Sequence, residues 1–147
     1  MSWTQIYYHI VFSTKNRIPC LDKENRVRLF HYIWGVIKNK HCHLYRINGL
    51  DDHLHIFTSL HPSVCLADLV KGIKVSSSLW IKENKIFPAF EGWQDQYAAF
   101  THSDKEKHRI IEYIKNQEEH HRKLSYFDEL RSLMKEAGLE FDERFLK

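Results

Sequence analysis

A two-residue period, in which successive side chains point to opposite faces, marks the first of four stretches that we predict as β-strands. This stretch, residues 6–13 (IYYHIVFS), is rich in β-branched and aromatic residues. Residues 44–50 (LYRINGL) and 53–60 (HLHIFTSL) flank a turn formed by Asn48-Gly49 and two aspartates, so we expect them to pair as a hairpin. Residues 93–100 (WQDQYAAF) are the fourth predicted strand.

Between these strands, apolar residues recur at the three- and four-residue spacing of amphipathic helices. Asp22 is expected to cap the first helix, which ends near Asn39, and Ser63 is expected to cap the second. The predicted buried stripe of the first helix comprises Val27, Phe30, Ile33, Trp34 and Ile37. The stripe of the second comprises Leu66, Leu69, Val70, Ile73, Ser77 and Trp80.

Two further helices are predicted after the fourth strand. A capping box at residues 103–106 opens the first of them, which runs over about residues 104–123, and Ser125 begins the last, which Gly138 ends. The element order is therefore β-α-β-β-α-β followed by two helices. This order predicts a single α+β domain over residues 1–147: a ferredoxin-like, split β-α-β antiparallel sheet with helices on one face, plus C-terminal helices.

The composition narrows the class of protein. Hydrophobic residues make up 43% and aromatic residues 14% of the chain, enough for a core and contrary to disorder. The net charge of +3 is compatible with nucleic-acid binding without requiring it. Three widely spaced cysteines suggest neither a disulfide framework nor a zinc knuckle. With no secretory signal and no apolar run of about 20 residues, we expect a cytoplasmic protein without a membrane segment.

Two histidines open the third predicted strand. Because strand side chains alternate, His53 and His55 point to one face and Leu54 to the other. Imidazoles about 7 Å apart along one face can bind a single ion if a third ligand comes from elsewhere. A solvent-facing strand edge that happens to carry two histidines is the alternative.

The third predicted helix offers that third ligand. Tyr113 and Gln117 are four residues apart and lie on one helix face. The amide oxygen of Gln117 can join two imidazole nitrogens around an ion, and a donor set without thiolates favours Mg²⁺ or Mn²⁺. Taken singly, Tyr113 would be a core aromatic residue and Gln117 a solvated one.

In combination these segments resemble the single-tyrosine transposases of bacterial insertion sequences, which belong to the HUH superfamily of nucleases, and the similar REP-associated tyrosine transposases. The resemblance extends over nearly the whole chain. Its segments are YHIVFSTKNR at 8–17, DHLH at 52–55, WQ at 93–94, YAAF at 97–100, YIKNQ at 113–117, QEEHHR at 117–122 and SYFDEL at 125–130. Ala98 departs from the family pattern, in which many relatives carry glycine.

The resemblance implies that His53, His55 and Gln117 bind Mg²⁺ or Mn²⁺ and that Tyr113 is the nucleophile. The substrate would be single-stranded DNA with a hairpin near the element's ends. Tyr113 would keep the 5′ phosphate as a phosphotyrosine until a 3′ hydroxyl rejoins the strands. No nucleotide cofactor is then needed. One tyrosine per chain implies a homodimer, in which the tyrosine can serve its own histidines or those of the partner.

Basic residues are the candidates for contact with the DNA backbone, although a solvated surface explains each of them equally well. The candidates are Lys15, Arg17, Lys71, Lys74 and Arg122. His120 and His121 lie one or two turns beyond Tyr113 and could approach the ion, but a solvated helix end is the favoured interpretation.

Three other functions stay open from the sequence. A domesticated relative would bind or process repetitive palindromic DNA without mobilising itself. A metal-dependent phosphoesterase of the two-histidine kind would need two separate His-x-Thr/Ser motifs, and the sequence has no convincing pair. A non-catalytic module would bind hairpins whether or not a metal is present.

Overall fold

The computed structural model describes residues 2–121 and 123–140 and confirms the predicted α+β class. Within these ranges the strands are β1 (Tyr7–Ser13), β2 (His43–Gly49), β3 (His53–Ser59) and β4 (Ala98–His102). The helices are α1 (Lys23–Asn39), α2 (Leu66–Asn84), α3 (Lys107–Lys115), α4 (Gln117–His120) and α5 (Tyr126–Glu136). Single 3-10 turns lie at Lys15–Arg17 and Asp104–Glu106.

The strands form one sheet in the order β2-β3-β1-β4, and each neighbouring pair is antiparallel. This is the ferredoxin-like arrangement that the element order predicts, with β2 and β3 joined as the expected hairpin. In the central pair, Val11 lies opposite His55 and Ser13 lies opposite His53. Residues paired in this way share a face of the sheet, so the histidines of β3 face the same side as alternate residues of β1.

Helices α1 and α2 cover one face of the sheet. On that face Ile10, Phe12, Leu54 and Ile56 are fully buried. The helices bring an apolar set against them: Leu29, Ile33, Ile37, Leu69, Val70 and Ile73. Burial of each such side chain stabilises the fold by about 1.5–3 kcal/mol, so this layer is the main core.

The C-terminal helices cover the opposite face. Ile110 and Ile114 of α3 pack on Tyr7 and Phe57. A second small cluster lies beneath α5 and consists of Val11, Phe100, Tyr126 and Leu130. The two apolar clusters hold α3 and α5 over the face on which the histidines of β3 lie.

Helix caps follow the sequence in three places. The carboxylate of Asp22 accepts a hydrogen bond from the Asn25 N–H at 3.1 Å, and Ser125 Oγ accepts one from the Asp128 N–H at 3.2 Å. Gly138, just beyond α5, has a left-handed φ of 74°. Among the described residues, no helix is both long and apolar enough to cross a membrane.

The predicted stripe of α1 is wrong at two positions. Val27 is 53% exposed and Trp34 is 48% exposed. The helix instead buries Arg26 and Leu29 together with Ile33 and Ile37, of which only the last two were predicted. Both sets of positions have helical spacing, and only the packing against α2 and the sheet selects between them.

Two other boundaries also differ from the prediction. Cys65 rather than Ser63 occupies the N-cap position of α2, and the Ser63 hydroxyl contacts the ring of His61 at 2.7 Å. The fourth strand begins at Ala98, because Trp93 forms only an isolated bridge with the residue that follows β1.

The helix predicted over residues 104–123 is divided. Its capping box forms between Ser103 and Glu106, as expected, but opens a 3-10 turn. The helix is then interrupted at Asn116, whose φ of −95° and ψ of 28° are not helical. The break places Tyr113 on α3 and Gln117 at the start of α4.

Candidate active site

The two histidines of β3 lie under the C-terminal helices rather than at a solvent-facing edge. His53 and His55 are both completely buried, and Leu54 between them enters the main core. His53 Nδ1 lies 2.7 Å from a carboxylate oxygen of Asp52. Its other nitrogen, Nε2, is buried and has no hydrogen-bond partner among the described residues.

Tyr113 and Gln117 come to the same place from the broken helix. The Tyr113 hydroxyl donates a hydrogen bond to Glu129 Oε2, and Gln117 Nε2 donates to the same oxygen at 3.1 Å. The Tyr113 ring lies 5.9 Å from the ring of His55 in the same chain. Gln117 is fully buried, and its Oε1 has no partner among the described residues. The structure therefore brings together all four residues that the sequence singled out.

Glu129 of α5 lies at the centre of the group, and sequence reasoning missed it. Its Oε1 is 2.9 Å from His55 Nε2, 2.9 Å from His121 Nε2 and 3.4 Å from His53 Nε2. One sequence signal was available: Glu129 falls on the stripe of α5 that also carries Tyr126 and Leu130. An acidic residue on a buried stripe needs a partner.

His121 was also placed wrongly by the sequence. It was expected at a solvated helix end, but its side chain is only 8% exposed and contacts Glu129. His120 is partly buried and stacks on Tyr113, with ring centroids 4.6 Å apart. Both histidines follow the break at Asn116, and that break turns them toward the sheet.

Burial and hydrogen bonds shift the two histidines of β3 in opposite directions. Burial disfavours the charged form of His53, but the hydrogen bond to Asp52 and the nearby carboxylate of Glu129 overcome it and raise the pKa to about 9. For His55 burial prevails over the hydrogen bond to Glu129, and the pKa falls to about 4. Without a bound ion, the carboxylates beside His53 therefore favour its charged form, whereas burial favours the neutral form of His55.

Glu129 and Tyr113 are held in defined protonation states. Burial alone would favour protonated Glu129, yet its contacts with His121, His53 and His55 hold its pKa far below the usual range. Burial, together with the charge and hydrogen bond of Glu129, raises the pKa of Tyr113. In this structure the phenol therefore stays protonated and donates to a carboxylate that stays ionised.

The donor atoms of this group fit a divalent metal ion. One atom each from His53, His55, His121 and Glu129 lies within 4.8 Å of the others. Ligand atoms around one ion are separated by roughly 3–4 Å, because metal–ligand bonds are about 2.0–2.2 Å long. The unpartnered His53 Nε2 and Gln117 Oε1 support the fit, since a bound ion would satisfy buried lone pairs.

Three of the predicted DNA-binding residues share a cavity of about 630 Å³. Lys15 and Lys71 are exposed there, whereas the Lys74 amino group donates to the backbone carbonyls of Gln94 and Gln96 at 2.8 and 2.9 Å. The cavity includes no member of the histidine and glutamate group.

The remaining two predicted DNA-binding residues differ in position. The Arg17 guanidinium lies 3.9 Å from the centre of the Phe127 ring on α5, so it contacts the helix that carries Glu129. Arg122 lies outside the described residues.

Comparisons with known proteins identify the family and find similar folds. Residues 2–117 match the family model described as IS200-like transposase. A candidate transposase from Deinococcus radiodurans R1 is similar in fold, with a TM-score of 0.63 and 23% identity over 79% of this chain and 93% of that one. A REP-associated tyrosine transposase bound to a REP hairpin gives a TM-score of 0.61 and 15% identity over 82% and 72% of the two chains. A search of curated proteins gave no match.

Proposed function

The chain belongs to the IS200-like transposase family, and we propose that it cuts and rejoins single-stranded DNA through a covalent phosphotyrosine. The observation that carries the proposal is the convergence of Tyr113 with buried His53 and His55 on one carboxylate. Cleavage of a phosphodiester by a tyrosine requires a phenol as nucleophile, a proton acceptor beside it and a set of metal ligands.

The nucleophilic step uses groups of this chain. The Tyr113 oxygen attacks phosphorus, and its proton passes to Glu129, which is already its hydrogen-bond acceptor. The new bond joins the phenol oxygen to the 5′ phosphate, and the bond to the 3′ oxygen breaks, releasing a 3′ hydroxyl after protonation. In the reverse sense, a 3′ hydroxyl attacks the phosphotyrosine, and the phenol regains a proton. Glu129 serves as base in the first direction and as acid in the second.

His53, His55 and Gln117 remain the proposed metal ligands, with Mg²⁺ or Mn²⁺ as the ion. When bound, the ion would neutralise part of the phosphate charge and orient the scissile phosphate. Imidazole donors suit Mn²⁺ better than Mg²⁺, which prefers oxygen. His121 and Glu129 are alternative candidates for the third metal ligand, because their donor atoms lie close to those of His53 and His55.

Substrate entry requires movement of α5 in this proposal. His53 and His55 are completely buried, and Glu129 lies against Tyr113. A cleft of about 390 Å³, bordered by Arg26, Asp52 and His121, adjoins the site and offers the phosphate an approach. A shift of α5 that widens this cleft and keeps Glu129 on the Tyr113 hydroxyl would admit the phosphate to the metal ligands.

We propose a hairpin-bearing single strand as the substrate. A structural neighbour is bound to a REP hairpin, which supports this choice and equally supports the second candidate, a domesticated relative that processes repetitive palindromic DNA. The exposed residues Lys15 and Lys71 are the strongest proposed backbone contacts. Arg17, Lys74 and Arg122 remain further proposed contacts. A homodimer would supply two tyrosines for two element ends, and the proximity of Tyr113 to His55 within one chain favours a site completed in cis.

The test is capture of the covalent intermediate on an end-labelled hairpin strand with Mn²⁺. We expect a denaturation-resistant adduct with the fragment on the 3′ side of the cut, whose 5′ phosphate is joined to Tyr113. The adduct should be lost in Tyr113→Phe and kept in Tyr32→Phe, because the Tyr32 hydroxyl donates to the Ser76 carbonyl on α2, away from the site. His55→Ala and chelation should abolish the adduct while hairpin binding persists. An adduct in Tyr113→Phe, or a free 5′ phosphate with no adduct at any stage, would refute the proposal.

A further inference from the structure

His9, a residue to which the mechanism above gives no role, contacts the candidate site from β1. It is 1% exposed, and its Nε2 lies 2.8 Å from Nδ1 of His55. The two rings are stacked, with centroids 5.0 Å apart and planes inclined by 28°. The register explains the contact: Val11 lies directly opposite His55, and His9 is the next residue along β1 on the same face.

We propose that His9 is the positioning residue for His55, accepting the Nδ1–H so that the Nε2 lone pair of His55 faces the metal site. This inference rests on the proposed metal-binding role of His55. A neutral imidazole carries one proton, and a metal ligand must present an unprotonated nitrogen. In this structure His55 Nε2 lies 2.9 Å from Glu129 Oε1. When Nε2 instead binds the ion, the proton must lie on Nδ1, and His9 Nε2 is its acceptor.

The two metal-binding histidines are therefore supported differently. His53 Nδ1 faces a carboxylate, that of Asp52, at 2.7 Å, whereas His55 Nδ1 faces a second imidazole. A carboxylate would add negative charge to a site that already contains Asp52 and Glu129. A neutral acceptor fixes the tautomer of His55 without adding charge to the buried site.

The rest of the environment of His9 indicates that the residue is not there for packing alone. Its Nδ1 is buried and has no hydrogen-bond partner among the described residues. The rings around it are those of Phe100, His102 and Tyr113, at centroid distances of 5.9, 6.2 and 6.0 Å. An apolar side chain would fit among them without an unsatisfied nitrogen. The hydrogen bond to His55 is the interaction that an apolar residue could not make.

The experiment measures Co²⁺ affinity and the visible Co²⁺ spectrum of the full chain with two substitutions. His9→Phe keeps an aromatic ring and removes the acceptor, and His9→Gln keeps an amide oxygen near the position of Nε2. We expect His9→Phe to weaken Co²⁺ binding about 10–100-fold and change the spectrum, as loss of a hydrogen bond to a metal-binding histidine typically does. His9→Gln should stay within a few-fold of the wild type.

Phe100→Leu is the matched control, because it changes packing against the His9 ring and leaves the hydrogen bond in place. Its Co²⁺ affinity should equal that of the wild type. Equal affinity in His9→Phe, or equal loss in His9→Gln and His9→Phe, would overturn the role of His9. If the wild type itself fails to bind Co²⁺, the metal site of the proposed function fails as well, so the two failures are distinguishable.

A measurement on the wild type covers the case in which His9→Phe does not fold. Ring ¹⁵N chemical shifts of His55 in the Zn²⁺-loaded chain report which nitrogen is protonated. A proton on Nδ1, with coupling across the hydrogen bond to His9, is the expected result. A proton on Nε2 of His55 would overturn the proposal.

Discussion

On one face of the central strands, Ile10, Phe12 and Leu54 are fully buried against α1 and α2. On the other face, His53 and His55 are fully buried against α3 and α5. The same strands supply both faces, and the degree of burial is the same. Only the chemistry of the alternating side chains differs.

The apolar face therefore contributes mainly to stability, whereas the histidine face carries the groups proposed for function. Apolar side chains on the first face need shape and volume, and many neighbours can supply both. Each imidazole on the second face needs a hydrogen-bond partner in a fixed direction. Asp52 is the partner of His53, and His9 and Glu129 are the partners of His55. Buried atoms without a partner, such as His53 Nε2, occur on the second face, as expected where a group is reserved for a ligand.

The largest effect on stability should follow from a cavity in the apolar face. Leu54→Ala removes a fully buried side chain between the two histidines and should lower the free energy of unfolding by about 2–5 kcal/mol. Urea denaturation measures it. Trp34→Ala, at a position that is 48% exposed, is the control and should change the free energy by about 0.5 kcal/mol or less. The reverse order would mean that the sequence-predicted stripe of α1 is the buried one.

A smaller effect is expected on the polar face. Glu129→Ala leaves His55, His121 and the Tyr113 hydroxyl without their common acceptor and should destabilise the chain by about 1–3 kcal/mol. Amide hydrogen exchange should rise first in α5, because Glu129 ties that helix to the sheet. Glu136→Gln, at the exposed end of α5, is the matched control. Unchanged exchange in Glu129→Ala would show that the apolar contacts of α5 hold it alone.

A third effect depends on pH and concerns Lys74, whose amino group is partly buried. Burial lowers the pKa of Lys74 from 10.5 to about 8, against the attraction of Asp95. Between these pH values the unfolded chain binds the proton and the folded chain does not, so stability should rise with pH from about 8 to 10.5. Urea denaturation of wild type and Lys74→Met across this range measures the difference. Parallel curves would show that the carbonyls of Gln94 and Gln96 keep Lys74 charged.

Local patterns predicted the fold well because its signals are short-range. The alternation in β1 and β3, the bend at Asp51-Asp52 and the caps at Asp22 and Ser125 depend on residues a few positions apart, although Asn48 and Gly49, which were predicted in the turn, are paired residues of β2. The topology then followed from the element order. The buried row of α1 could not be predicted, since both rows have helical spacing and the choice depends on what packs against them.

The residues of the candidate site were likewise predictable only where their sequence signals are local. His53 and His55 form a pair through strand periodicity, and Tyr113 with Gln117 through helical periodicity, so both pairs were visible locally. His9, His121 and Glu129 have no local signal that names a partner. His9 reaches His55 across a strand pair, and Glu129 reaches it across 74 residues of sequence.

The sequence by itself determined which chemical groups the chain possesses and which face of each element they occupy, because backbone periodicity fixes side-chain direction. The tertiary structure decided that Glu129 and His121 complete the group and that the break at Asn116 turns the second half of the tyrosine helix toward the sheet. It also decided that Nδ1 of His55 contacts the imidazole of His9 and that Nδ1 of His53 contacts the carboxylate of Asp52. Hydrogen bonds and desolvation act over a few ångströms in space, and only folding brings residues from β1, β3 and α5 within that distance.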